Sequence, residues 1–317
     1  MIMEKLIVQY KNKIEDELIS VYNQGPKLLL EPINHVFSGR GKRIRPLLTL
    51  FTAKTLEYDV NKTLDAAISI EILHNFTLVH DDIMDKDKLR HGKETINIKW
   101  DSDIALLAGD AMLALAMQRL NSYSKNHLLF PTFVNGLLAV CEGQALDKEF
   151  ECKNKINISD YMNMIDLKTG YLIGLSAELG AIVSGSNEEI NISMRQFGKK
   201  IGRAFQIQDD VLEIFSDSKT MGKSLESDLL LGKKTFLMVR AEDNHPGFID
   251  EINRIISKDY SSGIIEVRKM LINNGVYEEA KSVINQNIQS ANKILEDLAY
   301  DTQYLKYFSD LIGNRKF

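Results

Sequence analysis

Two short acidic clusters are the residues whose types and spacing point to chemistry. The first is Asp81, Asp82 and Asp85 in LVHDDIMD. The second is Asp209, Asp210 and Glu213 in FQIQDDVLE. Helical residues three and four apart share a face, so each trio converges on a patch about one turn long. Gln206, three residues before Asp209, joins the second patch. Carboxylates so close repel one another unless cations hold them. Carboxylate oxygens are hard ligands suited to Mg²⁺, which takes one or two carboxylates and completes its shell with water and substrate phosphate. Two such clusters would grip a polyphosphate through bridging metals. A single DDxxD is as readily a solvated helix face; two, each following an apolar run (ILHNFTLV and IGRAFQI), favour the metal reading. An EF-hand starting at Asp85 fails, because its third ligand position is Leu89 and its turn-glycine position is Arg90.

A diphosphate also needs basic groups. Arg90 and Lys93 follow the first cluster; Lys223, Lys233 and Lys234 follow the second. GRGKRIRP, residues 39–46, gathers Arg40, Lys42, Arg43 and Arg45 beside two glycines. Glycine lets backbone N–H groups approach phosphate, and arginine binds it through two parallel hydrogen bonds. None of the Gly-Lys pairs carries the second glycine of a nucleotide P-loop: Asp217, Ser227 and Val36 occupy the position.

The elements that must position these groups read as helices. Apolar residues recur three and four apart, as in Leu64, Ile68 and Ile72, and in Ile284, Ile288, Ala291 and Leu295. Phe248, Ile252, Ile255 and Ile256 place residues 248–257 on a helix as well. Five prolines and nineteen glycines in 317 residues favour long helices over many turns. The reading is all-α, many helices, one domain over 1–317. Loops are expected at 36–43, 86–95, 121–127 and 216–234. A net charge of −5 argues against nucleic-acid binding. Two cysteines without metal spacing, and no apolar leader, suggest the cytoplasm. No run approaches ~18 uninterrupted apolar residues, so no membrane span is expected.

These residues match a known family. The chain resembles the trans-prenyltransferases, the head-to-tail isoprenyl diphosphate synthases. The likeness runs from GKRIRP through AGDAML (108–113), EGQALD (142–147) and LKTG (167–170) to GKKT, ending at Thr235. It implies an all-α domain, a bundle of helices around a central cavity, paired as a homodimer. It implies Mg²⁺, up to three ions, on Asp81 and Asp85 and on Asp209, with Asp82, Asp210 and Glu213 completing the acidic sets. The allylic diphosphate would be helped by Arg90, Lys168, Lys223 and Lys233. Isopentenyl diphosphate would be held by Lys42, Arg45 and His74. The allylic C–O bond ionises first, and the cation would be sheltered by Thr169, Gln206 and the Lys168 carbonyl. Gln144 and Asp147 are as readily supporting residues as ligands.

Phe76 and Thr77, five and four residues before Asp81, are similar to the chain-length positions of archaeal-type geranylgeranyl diphosphate synthases. The expected product has twenty carbons, with fifteen or more than twenty left open. On an ideal helix Phe76 points well away from the carboxylates, so spacing alone does not settle its role. A class I terpene cyclase shares the ionisation step but lacks the GKRxRP element. A non-catalytic partner subunit tends to lose one acidic cluster, and this chain keeps both. The chain departs from the family at Arg40, Glu94, Glu213 and Glu226, and at His91, where a second arginine would help bind isopentenyl diphosphate. An unperturbed histidine titrates near ~6.5, so isopentenyl diphosphate is expected to bind more tightly as pH falls through that value. KM for wild type and His91→Arg between about pH 5.5 and 8 checks this, and identical profiles would remove His91 from the site.

Overall fold

The computed structural model describes residues 2–39, 41–216 and 233–314. Lys223, Arg40, Glu226 and most of the expected 216–234 loop lie outside the described residues. The described chain is helical almost throughout: α1 (Ile2–Ser20), α2 (Lys27–Phe37), α3 (Ile44–Thr55), α4 (Leu64–Asp85), α5 (Ile96–Lys99), α6 (Ser102–Leu120), α7 (Leu129–Glu151), α8 (Ile158–Ile165), α9 (Tyr171–Val183) and α10 (Glu188–Phe215). Further helices span Phe236–Asn244, Phe248–Lys258, Tyr260–Asn273, Val276–Glu296 and Gln303–Gly313. The expected helix over 248–257 is present and buries Phe248, Ile252 and Ile256.

Within the expected 86–95 loop the chain forms a two-stranded hairpin, pairing Leu89 with Glu94 and Arg90 with Lys93. His91 (φ 51) and Gly92 (φ 78) make its two-residue turn, both left-handed. This is the backbone that a type I′ hairpin turn requires. Asn-Gly is the usual sequence there, which is why His-Gly reads weakly as a turn.

The chain forms two compact units. The first comprises Met1–Leu137, Leu175–Arg195 and Leu298–Leu305; the second comprises Leu138–Gly174, Gln196–Asp297 and Lys306–Phe317. In the first, α4 packs most heavily on α6. Ala105, Ala108, Gly109, Met112 and Ala116 form the buried face of α6. These mostly small residues bring its backbone close to α4, and Ser69 Oγ donates to the Ala116 carbonyl at 2.8 Å. In the second unit the Phe236–Asn244 helix packs on α8 and on the Val276–Glu296 helix.

α7 is the one helix among the described residues long and apolar enough to cross a bilayer by length and composition, a test that the core helix of a protein outside membranes also passes, and Thr132 and Asn135 interrupt its apolar run. An 18-residue window of α7 averages a hydropathy of 1.2, and only 39% of that window is buried in the single chain.

Candidate active site

In the first unit, the acidic trio occupies the last turn of α4, which ends at Asp85 and is closed by Lys86 in left-handed conformation (φ 56). The last turn of a helix exposes carbonyls with no helical partner and carries partial negative charge. Three carboxylates there add to that charge, so the position calls for cations. One cation comes from the hairpin. Arg90 Nε donates to Asp82 Oδ1 at 2.9 Å, and its terminal nitrogen donates to Asp87 Oδ2 at 2.9 Å. Asp82 is buried, whereas Asp81 and Asp85 are half-buried. Asp87, half-buried, also pairs with this arginine. Burial alone would lower the Arg90 pKa; Asp82, Asp87 and Asp81 outweigh it and raise it.

The basic segment before α3 divides its duties. Arg43 is buried and left-handed (φ 54). Its guanidinium donates to Glu71 Oε1 at 2.8 Å and to the Gly39 carbonyl at 2.5 Å. Burial raises the Glu71 pKa in spite of Arg43. Lys42 is exposed. Arg45 donates to His74 Nε2 at 3.1 Å, which joins two of the residues expected on isopentenyl diphosphate. Burial, then the charges of Arg45, His91, Arg90 and Arg43, hold the His74 pKa well below its usual value. His74 is therefore a neutral acceptor for Arg45 in a positively charged neighbourhood. Thr77, half-buried, donates its hydroxyl to the His74 carbonyl at 2.8 Å, and Phe76 is buried.

In the second unit, Asp209, Asp210 and Glu213 lie in the last two turns of α10, the same electrostatic situation. Arg268 caps that end, donating to the carbonyls of Ile214 at 2.5 Å and Ser216 at 2.8 Å. Asp210 is again the buried member, and Asp209 and Glu213 are half-buried. Asp210 Oδ2 accepts from the buried Tyr161 hydroxyl and from the Phe236 backbone N–H at 2.7 Å; Oδ1 accepts from Gln206 Nε2 at 3.0 Å. Burial raises the Asp210 pKa to about 6. Thr169 donates to Gln206 Oε1 at 2.8 Å, so Thr169, Gln206 and Asp210 form one chain of hydrogen bonds. Each donor points toward Asp210, leaving the lone pairs of the Thr169 oxygen at the head of the chain.

Lys168 and Thr169 sit on a π-helical turn, Asp166–Gly170, between α8 and α9. Such turns mark functional sites in many helices. Three glycine contacts pin this turn and the start of α9. A Cβ on Gly143 would lie 2.3 Å from the Lys168 nitrogen. One on Gly202 would lie 2.7 Å from the Gly170 Cα, and one on Gly198 2.7 Å from the Gly174 Cα. Two Gly-x-x-x-Gly pairs thus meet backbone to backbone. Arg203 Nε donates to Asp166 Oδ1 at 2.7 Å beside them. Lys168 Nζ donates to Asp147 Oδ2 at 2.5 Å. Gln144, one turn away on α7, is buried with neither amide atom hydrogen-bonded. Lys233 is half-buried just before the Phe236 helix.

The sequence reading missed Tyr161, the Asp166–Arg203 pair and the glycine seam. Only the seam left a signal, in GYLIG-type spacing at 170/174 and 198/202. Among the described residues no three His, Cys, Asp or Glu side chains converge as a ready-made metal cage. Mg²⁺ uses one or two carboxylates and borrows the rest of its shell from water and phosphate. Asp81 with Asp85, and Asp209 with Glu213, offer hard oxygens of that kind.

The polyprenyl synthetase family pattern matches residues 26–271. The chain is 39% identical over 244 residues to a short chain isoprenyl diphosphate synthase of Methanocaldococcus jannaschii, covering 76% of this chain and 73% of that protein. It is 32% identical to a geranylgeranyl diphosphate synthase of Sulfolobus acidocaldarius, covering 96% of each. The crystal structure of a geranylgeranyl pyrophosphate synthetase from Pyrococcus horikoshii superposes with a TM-score of 0.92 at 32% identity, covering 100% of each chain. The fold is that of the prenyltransferases. The chain belongs to the polyprenyl synthetase family.

Proposed function

We propose that this prenyltransferase is a geranylgeranyl diphosphate synthase, joining isopentenyl diphosphate head-to-tail to an allylic diphosphate in an Mg²⁺-dependent reaction. The observation that carries this reading is the placement of both acidic sets in the C-terminal turns of long helices, where carboxylates and helix carbonyls together demand cations. Asp81, Asp85, Asp209 and Glu213 would hold Mg²⁺, which when bound would supply positive charge to offset the charge on the leaving diphosphate. Asp82 and Asp210 keep their neighbours in place, Asp82 by orienting Arg90 and Asp210 by tying Gln206, Tyr161 and the start of the Phe236 helix together.

Lys168, Lys223, Lys233 and Arg90 bind the allylic diphosphate. Lys42, Arg45 and His91 bind isopentenyl diphosphate, with neutral His74 orienting Arg45. The allylic C–O bond breaks with its electrons leaving on diphosphate. The Thr169 oxygen and the Lys168 carbonyl face the resulting cation as fixed dipoles, held by Gln206. The isopentenyl double bond forms the new C–C bond, and a proton is lost to the released diphosphate. No protein nucleophile is required. Phe76 and Thr77 set the length of the product.

The two units act as one synthase domain over 1–317, which the match across both supports. The enzyme works as a cytoplasmic homodimer. In support, the outer faces of α6 and of the start of α7 expose Leu106 (51%), Leu107 (54%) and Phe130 (49%), apolar surface that a second copy would cover.

The test is incubation with Mg²⁺, isopentenyl diphosphate and a series of allylic diphosphates, followed by chromatography of the products. A twenty-carbon main product is expected, from protein that sediments as a dimer and stays in the soluble fraction. No product from any primer would instead mark the chain as a non-catalytic partner subunit. A monomer would remove the pairing.

A further inference from the structure

Phe76 does not stand alone. Side chains on a helix lean toward its N-terminus, so His80, four residues on, leans over Phe76. The two rings meet edge to face with centroids 4.7 Å apart at 61°. On its other side His80 meets α6. Its Nε2 donates to the Leu106 carbonyl at 3.4 Å, a long bond that fixes the ring only weakly. The firmer constraint is steric. A Cβ on Gly109 would lie 2.2 Å from His80 Nε2 and 2.4 Å from Cδ2. The imidazole is seated in a space that exists because residue 109 has no side chain.

Gly109 lies inside α6, where glycine costs roughly 0.5–1 kcal/mol relative to alanine. Its φ is not in the left-handed region, so conformation gives no reason for glycine there. The seat for His80 does.

We propose that His80, seated on Gly109, is the buttress that fixes Phe76 and thereby sets product length. This rests on the reading of Phe76 as the floor of the chain path. With the imidazole in place, the Phe76 ring packs against a His80 that is itself seated on α6. Without it, the phenyl ring can turn into the vacated volume, and a growing chain can pass. His80 is thus a positioning residue acting through Phe76, one residue away from the metal carboxylates yet assigned to the opposite task.

Product analysis on four variants decides it. Phe76→Ala is expected to lengthen the product, which tests the floor itself. His80→Ala is expected to lengthen the main product by at least one isoprene unit. The double variant Phe76→Ala/His80→Ala should match Phe76→Ala alone, because contacting residues that act through one another are not additive. Gly109→Ala drives the imidazole toward Phe76 and should shift products shorter. If His80→Ala does not fold, Gly109→Ala decides alone. Unchanged length in His80→Ala and Gly109→Ala, with Phe76→Ala lengthened, overturns the buttress and leaves the floor standing. Additive lengthening in the double variant means His80 lines the path directly, and also overturns it. Unchanged length in Phe76→Ala removes the floor and the buttress together.

Discussion

Asp81→Ala is expected to lower turnover by about 10²–10³-fold, the cost of losing a ligand to an ion that would offset the charge developing on the leaving diphosphate. Asp82→Asn, one residue away, behaves differently. Asp82 is buried against Arg90, so Asp82→Asn removes the charge that Arg90 pairs with most closely while the Asp81 and Asp85 carboxylates are retained. Asp81→Ala should therefore raise the Mg²⁺ concentration needed for half-maximal rate. Asp82→Asn should leave that concentration near wild type and raise KM for the diphosphate substrate. Mg²⁺ titration of initial rates separates the two. If Asp82→Asn shifts the Mg²⁺ dependence as far as Asp81→Ala, the division between inner and outer carboxylates is wrong.

Arg43→Ala costs about 3–5 kcal/mol of stability, the usual result of deleting one partner of a buried ion pair. The guanidinium is buried and bonded to the buried Glu71 Oε1 at 2.8 Å. Its removal strands a carboxylate that burial already disfavours. The loss has a pH signature. A carboxyl whose folded pKa is raised above its unfolded value favours folding fully below the unfolded value, and that favour is lost as pH rises through the folded one. Removing Arg43 raises the Glu71 pKa further, so the penalty should shrink as pH falls into the carboxylate range. Lys42→Ala, at an exposed neighbour, should change stability by less than about 0.5 kcal/mol while impairing isopentenyl diphosphate binding. Thermal unfolding of both variants at several pH values is the measurement. A loss below about 1 kcal/mol for Arg43→Ala would mean that water replaces the pair.

These two cases mark the limit of what the sequence discloses. Helix periodicity and carboxylate spacing are local properties, so the all-α class and both acidic trios were readable. Which carboxylate of each trio turns inward was not. Asp82 and Asp210 are chosen by partners eight and twenty-six residues or more away, Arg90 and the Phe236 amide. Arg43 and Arg45 are indistinguishable as letters in GKRIRP, yet one is buried under Glu71 and the other meets His74. The π turn at Asp166–Gly170 left no composition signal because it is held from outside, by Gly143, Gly202 and Arg203. The hairpin at His91-Gly92 was hidden by a turn residue less usual than asparagine. The same geometry that places His91 at the tip of a turn explains how a titratable side chain is presented there.

The glycine seam has a mechanical consequence. Helices separated by side chains can roll and slide a little, because rotamers adjust. Where Gly170 and Gly174 meet Gly202 and Gly198 there are no rotamers to adjust. The segments 170–174 and 198–202 are in direct backbone contact. Thr169 and Gln206 therefore sit on two backbones whose separation no side chain can adjust, and any side chain added at this seam would have to push them apart.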